Sequence, residues 1–234
     1  MQWNSCSCPL TARPERIFKL IKGAREKLLN ARLYAIIGHE FEQRHGKFED
    51  IVGKLANGGV SVIQLREKRM AKSKLLDEAK RVGRACEAHG VIFIVNDYPD
   101  VAIQVGADGV HIGSEDMPIN SVKKIVGNSA IIGFSATNIE EALEGEKNGA
   151  DYLGVGAIFP TSTKRDAKMV SELMLQKIMR AVTIPVFALG GINVGNLARL
   201  IELGVQRVAI SSALLYSDDI EKTARFFYKR LSGS

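Results

Sequence analysis

Short apolar runs recur along most of this 234-residue chain, each separated from the next by a stretch with helical periodicity, and that alternation constrains the fold more than any other feature. The runs fall at 32–37 (Arg-Leu-Tyr-Ala-Ile-Ile), 60–65, 91–95, 109–112, 130–134, 152–155, 185–189 and 207–210. Each has the length of a buried strand rather than of a helix. Between them lie segments patterned as helices, among them 72–89, 139–148, 171–181, 194–203 and 218–231. Repetition of this kind builds parallel βα units. Eight units in about 200 residues predict a fold of the α/β class, a single (β/α)8 TIM barrel at the compact end of its size range. The alternative is an open doubly wound sheet, whose Gly-x-Gly-x-x-Gly fingerprint after the first strand is absent. Gly58-Gly59, Gly106, Gly149 and Gly204 stand just ahead of the second, fourth, sixth and eighth runs. They read as left-handed helix ends, and their placement before alternate strands suggests duplicated halves.

Ahead of the first run, residues 14–29 read as a helix opened by Pro14, with Ile17, Leu20, Ile21, Ala24 and Leu28 on one face. This divides the chain into an N-terminal helical extension, 1–30, and a barrel, 31–234. The net charge of +6 is concentrated there: residues 1–32 hold seven basic side chains against two acidic ones, so the remaining body is nearly neutral. Without interleaved aromatics this is a solvated helix face, not a nucleic-acid arm. Cys6 and Cys8 lack the partners of a zinc site, and Cys86 falls in an amphipathic helix. No run approaches the about 20 residues of a membrane span. A cytoplasmic protein with small-molecule partners is expected, with neither nucleic acid nor membrane among them; a homodimer is compatible with the sequence.

In such a barrel, chemistry gathers where strands run into the following loops. The second run ends Gln64-Leu65-Arg66-Glu67-Lys68 and the third Asn96-Asp97, while the fourth leads through His111 to Glu115-Asp116. The fifth ends at Ser135. After the sixth, Gly154-Val155-Gly156 leads past Pro160 into Thr161, Thr163, Lys164 and Arg165. Hydroxyls and a lysine on one loop suit a phosphate-bearing ligand, and the two glycines leave room for a close approach to the backbone. Gly190-Gly191 and Ser211-Ser212, after the last two strands, are expected to open short helices whose N–H groups take a phosphate. Asp97 and Asp116 leave adjacent strands and can converge on Mg²⁺, or each can simply cap the helix that follows it. Arg66, Lys68 and Lys164 bring three cations to one rim, where with Mg²⁺ they could stabilise a departing diphosphate. His111 reads as an inward-facing structural residue. Gly133-Phe134-Ser135-Ala136-Thr137 lacks the final glycine of a nucleophile elbow, which speaks against a serine hydrolase.

Taken in order, Gln64–Lys68, Val95-Asn96-Asp97, Gly106–Gly113, Glu115–Pro118, Gly149–Gly156, Phe159–Lys164 and Ala188–Ile192 resemble the thiamine-phosphate synthase family, over nearly all of Leu33 to Leu215. The resemblance implies coupling of 4-amino-2-methyl-5-hydroxymethylpyrimidine diphosphate to a thiazole phosphate, giving thiamine phosphate and diphosphate. It also implies a dissociative substitution in which the diphosphate leaves first. By the same resemblance, Asp97 and Asp116 would bind Mg²⁺, and Arg66, Lys68, Asn96 and Lys164 the diphosphate. Gln64 and Ser135 would contact the pyrimidine, and Thr161, Thr163, Gly191, Ser211 and Ser212 the thiazole phosphate. Arg66, Lys68, Lys164 and Ser135 would be the catalytic set. The chain departs from the family pattern at Ser114 and Thr137, and after Asp166. The rivals are a thiazole tautomerase-like isomerase and a non-catalytic barrel that binds thiamine phosphate.

Overall fold

The computed structural model describes residues 23–161 and 168–233. The expected helix start at Pro14, Cys6, Cys8, Thr163, Lys164 and Arg165 lie outside the described residues. Eight parallel strands close into one barrel in sequence order: β1 (Leu33–Ile37), β2 (Val62–Leu65), β3 (Ile92–Asn96), β4 (Gly109–Ile112), β5 (Ile131–Ala136), β6 (Tyr152–Val155), β7 (Val186–Leu189) and β8 (Val208–Ile210). Closure is made by β8 pairing with β1, with Leu33 opposite Val208 and Ala35 opposite Ile210. The expected α/β barrel is the observed fold.

Because successive strand residues point to opposite faces, each strand feeds two cores. Leu33, Ala35, Ile63, Leu65, Phe93, Val95, Val110 and Ile132 join the layer beneath the helices. Their alternates Tyr34, Val62, Ile92, Ile94, Ile131, Tyr152, Phe187 and Ala209 fill the barrel interior. Apolar side chains on both faces are what make these strands read as continuous runs.

Helix α1, described over 23–30, lies against the barrel. Its Ala24 and Leu28 pack into the interior cluster, and Arg25 Nε donates to Asp151 Oδ1 at 2.8 Å while its Nη2 reaches the carbonyls of Asn128 and Ala130. Arg25 therefore serves as an intramolecular clamp. The remaining helices are α2 (His39–His45), α3 (Phe48–Asn57), α4 (Lys72–His89), α5 (Pro99–Val105), α6 (Ile119–Val126), α7 (Ile139–Asn148), α8 (Glu172–Ala181), α9 (Leu197–Glu202), α10 (Ser212–Leu215) and α11 (Ile220–Ser232).

Two expectations need correction. Positive-φ glycines follow helices ahead of β3 and β5 as well, at Gly90 (φ 64°) and Gly127 (φ 77°). Such glycines thus precede β2, β3, β4, β5, β6 and β8, while α8 ahead of β7 ends at Val182 in extended conformation, so they do not mark duplicated halves. The helix expected over 194–203 begins only at Leu197. Before it, Asn193 and Asn196 fold a turn, each donating its side-chain amide to the Gly191 carbonyl.

Candidate active site

At the C-terminal ends of the strands the barrel opens into a cavity of about 390 Å³. Gln64, Arg66, Lys68, Asn96, Asp97, Asp116, Ser135, Thr161, Gly191, Ser211 and Ser212 all line it. The topology thus brings together residues that lie up to 148 positions apart, from Gln64 to Ser212. Thr163 and Lys164 are the two candidates outside the described residues.

Asp97 follows directly on β3 and is held by its amide, which donates to the His111 carbonyl at 2.9 Å. Its φ of 62° is left-handed, a conformation adopted by no other described residue except glycines and one that Asp tolerates better than most. Burial, followed by the neighbouring Asp116 carboxylate, pushes the Asp97 carboxyl above the usual carboxylate range, and Lys68 opposes that shift. Lys68 Nζ lies 3.4 Å from Asp97 Oδ2. Asp116 Oδ2 accepts the Gly113 amide at 2.7 Å. Neither acid caps a helix: Tyr98 and Pro118 occupy the N-cap positions of α5 and α6, with no side-chain cap bond. Two carboxylates crowded together in a partly buried mouth, each with oxygens to spare, suit a hard divalent cation.

The close approach expected at Gly154 and Gly156 is observed. A Cβ on Gly156 would stand 2.0 Å from the Leu189 carbonyl oxygen, and one on Gly154 would stand 2.9 Å from Leu189 Cδ2 and 3.2 Å from His111 Cε1. What approaches these glycines most closely is therefore the protein itself. Gly190 and Gly191 have φ of 91° and 66° and open a turn, not a helix. At Gly191 a Cβ would fall 2.4 Å from the Pro160 oxygen, so the β7 loop rests directly on the loop that carries Thr161. Ser211, by contrast, does begin the one-turn helix α10 as its N-cap residue.

β5 runs on to Ala136, so Ser135 lies within the strand and faces inward. Its Oγ is 2.9 Å from His111 Nε2, and His111 Nδ1 is 3.1 Å from the Tyr152 hydroxyl. That hydroxyl is 2.8 Å from the Tyr34 hydroxyl, which accepts the Gln64 side-chain amide at 2.8 Å. Burial, the largest influence, pulls His111 down to about 4, so the imidazole is neutral near pH 7. Sequence reasoning assigned no role to Tyr34 or Tyr152, which look like two more apolar strand residues. It also passed over Lys168, which lines the cavity. Thr137 lines it too, but its hydroxyl donates to Glu141 Oε2 at 2.9 Å.

A second cluster, His39, Glu42 and Glu78, lies outside this cavity. In it His39 Nδ1 stands 2.8 Å from Glu78 Oε1, and Arg81 grips both oxygens of Glu42.

Residues 33–214 match the family described as thiamine monophosphate synthase. The thiamine-phosphate synthase of Shouchella clausii is 41% identical over 195 residues, spanning 83% of this chain and 93% of the relative. That of Ruminiclostridium cellulolyticum is 43% identical, spanning 82% and 91%. Among solved structures, thiamine phosphate pyrophosphorylase from Pyrococcus furiosus superposes with a TM-score of 0.78 at 37% identity, over 89% of this chain and 98% of that one.

Proposed function

The chain belongs to the thiamine monophosphate synthase family, and from that premise we propose that it joins 4-amino-2-methyl-5-hydroxymethylpyrimidine diphosphate to a thiazole phosphate, releasing diphosphate. The chain is a transferase, as its curated relatives are. The observation that carries the specific reading is the meeting of Arg66, Lys68, Asp97 and Asp116 in one cavity beside Gln64 and Ser135.

Arg66 and Lys68 put positive charge at the diphosphate end, where negative charge grows as the bond to carbon breaks. The crowded Asp97–Asp116 pair would hold Mg²⁺, which when bound neutralises diphosphate oxygens and makes them a better leaving group. Below the rim, Tyr34, Ile36, Phe187 and Leu189 line the cavity and keep water from the pyrimidine carbon once the diphosphate has gone. The thiazole nitrogen needs no deprotonation to attack that carbon. His111, the one histidine lining the mouth among the described residues, is neutral and has both nitrogens engaged by Tyr152 and Ser135, in keeping with a reaction that uses no general base. Thr161, Gly191, Ser211 and Ser212 collect on the β6–β8 side, where hydroxyls and early helix N–H groups suit the thiazole phosphate. The buried free thiol of Cys86 is consistent with a reducing cytosol, and among the described residues no helix is long and apolar enough to cross a membrane.

The test is to incubate purified protein with both substrates and Mg²⁺ and identify the products. Thiamine phosphate and diphosphate in equal amounts are expected. Isomerised thiazole without coupling would instead identify a tautomerase, and binding without turnover a sensor.

A further inference from the structure

We propose that the buried chain Gln64–Tyr34–Tyr152–His111–Ser135 fixes the hydrogen-bond polarity of the site, presenting an acceptor at Gln64 and a donor at Ser135, so that the cavity reads an aminopyrimidine edge and rejects its oxo counterpart. Tyr34, Tyr152 and His111 are positioning residues in this scheme. The inference rests on the proposed substrate for its ligand, but not for its polarity.

Counting protons sets the direction. The Gln64 amide nitrogen donates to the Tyr34 oxygen. Tyr34 is 1% exposed, and its own O–H has one partner, the Tyr152 oxygen 2.8 Å away. The Tyr152 hydrogen is then directed at His111 Nδ1, 3.1 Å away. A neutral imidazole that accepts at Nδ1 carries its proton on Nε2, and Nε2 donates to Ser135 Oγ at 2.9 Å. The Ser135 hydrogen is left over for the cavity. Reversing the order would make Tyr34 accept from both Gln64 and Tyr152 and strand its O–H in the interior, an arrangement folded proteins avoid. Both phenols are pushed up by burial, so neither loses its proton and breaks the count.

Space for the relay is built into the barrel. A Cβ on Gly133 would stand 2.3 Å from the Tyr152 hydroxyl and 2.4 Å from His111 Nδ1, the two atoms of the third link. At the two ends, the Gln64 carbonyl oxygen and the Ser135 hydroxyl hydrogen have no partner among the described residues, and both side chains line the cavity. An acceptor and a donor at these ends match a 4-aminopyrimidine, whose amino group donates beside a ring nitrogen that accepts. The 4-oxo lactam presents the inverse pattern.

The experiment begins with ¹⁵N-histidine NMR of the unliganded full chain, the His111 signals being assigned by their loss in His111→Gln. The Nε2–H tautomer is expected; an Nδ1–H tautomer, or a mixture of the two, overturns the proposal. In Gln64→Glu, at about pH 8 where a carboxylate only accepts, Tyr34 must donate to residue 64 and the whole chain reverses. His111 should then switch to Nδ1–H, and an unchanged tautomer overturns the relay. Should that variant not fold, calorimetry with the 4-amino and 4-oxo pyrimidine diphosphates in Mg²⁺ decides. Wild type should favour the amino compound by at least about a hundredfold, and Tyr152→Phe should lose about tenfold of that ratio. Equal binding of the two compounds by wild type, or an unaltered ratio in Tyr152→Phe, overturns it. Failure of both compounds to bind would count against the proposed substrate and leave the tautomer result standing.

Discussion

The ammonium of Lys68 stands 3.4 Å from the carboxylate of Asp97, so that the loops after two neighbouring strands meet as opposite charges at the barrel mouth. Asp97 is nonetheless electrostatically crowded, because Asp116 presses on it from the next strand and burial raises the cost of its charge.

Replacing Asp97 by Asn keeps a residue that tolerates the left-handed backbone while removing one of two adjacent negative charges. The expected outcome is a higher thermal midpoint together with coupling activity lowered by at least about a hundredfold. Paired melting curves and turnover measurements check both halves. A loss of stability with activity retained would show that Asp97 is a structural residue.

His111 makes stability depend on pH in a known direction. Unfolded, it takes up a proton near about pH 6.5; folded, only at about 4. Between those values the unfolded chain holds the extra proton, so this contribution is fully present above about pH 6.5 and is lost as pH falls toward 4. The difference amounts to about 3 kcal/mol. Urea unfolding of wild type and His111→Gln at both ends of the window should show the gap between them shrinking on acidification.

Gly133 has no room for a side chain, because Tyr152 and His111 occupy the space in front of it. With a methyl group placed 2.1 Å from Tyr152 Cζ, Gly133→Ala should cost at least about 2 kcal/mol. It should also displace Ser135, two residues along the same strand. A denaturant midpoint within error of wild type would contradict the packing described here.

Gly191→Ala combines a left-handed backbone of φ 66° with a Cβ 2.4 Å from the Pro160 oxygen. The β6 and β7 loops cannot both stay in place. The expected result is a raised KM for the thiazole phosphate exceeding any change in KM for the pyrimidine diphosphate, measured by steady-state kinetics with each substrate varied in turn.

The fold was legible because both faces of every strand are buried, which gives runs such as 91–95 and 152–155 that no surface helix would carry. The helices over 72–89 and 139–148 follow their apolar spacing to the residue. That Asp97, Asp116, Arg66 and Lys68 meet at the mouth was legible because each is a polar residue placed shortly after such a run. The relay was not. Tyr34 and Tyr152 sit among apolar neighbours like any other core residues, and their hydroxyls meet across 118 positions of sequence. Gly154 and Gly156 show the converse: a glycine before a polar loop signals close approach, but only the closed barrel reveals that the approaching groups are Leu189 and His111.

The central claim is that acids and cations from separate strands act together on one leaving group. Diphosphate release, followed against Mg²⁺ concentration in wild type and in Asp97→Ala, tests it most directly. The account predicts a saturable metal requirement in wild type, no release in excess chelator, and a rate at least about a hundredfold lower in the variant. Release that persists in chelator at the same rate in both proteins would contradict it.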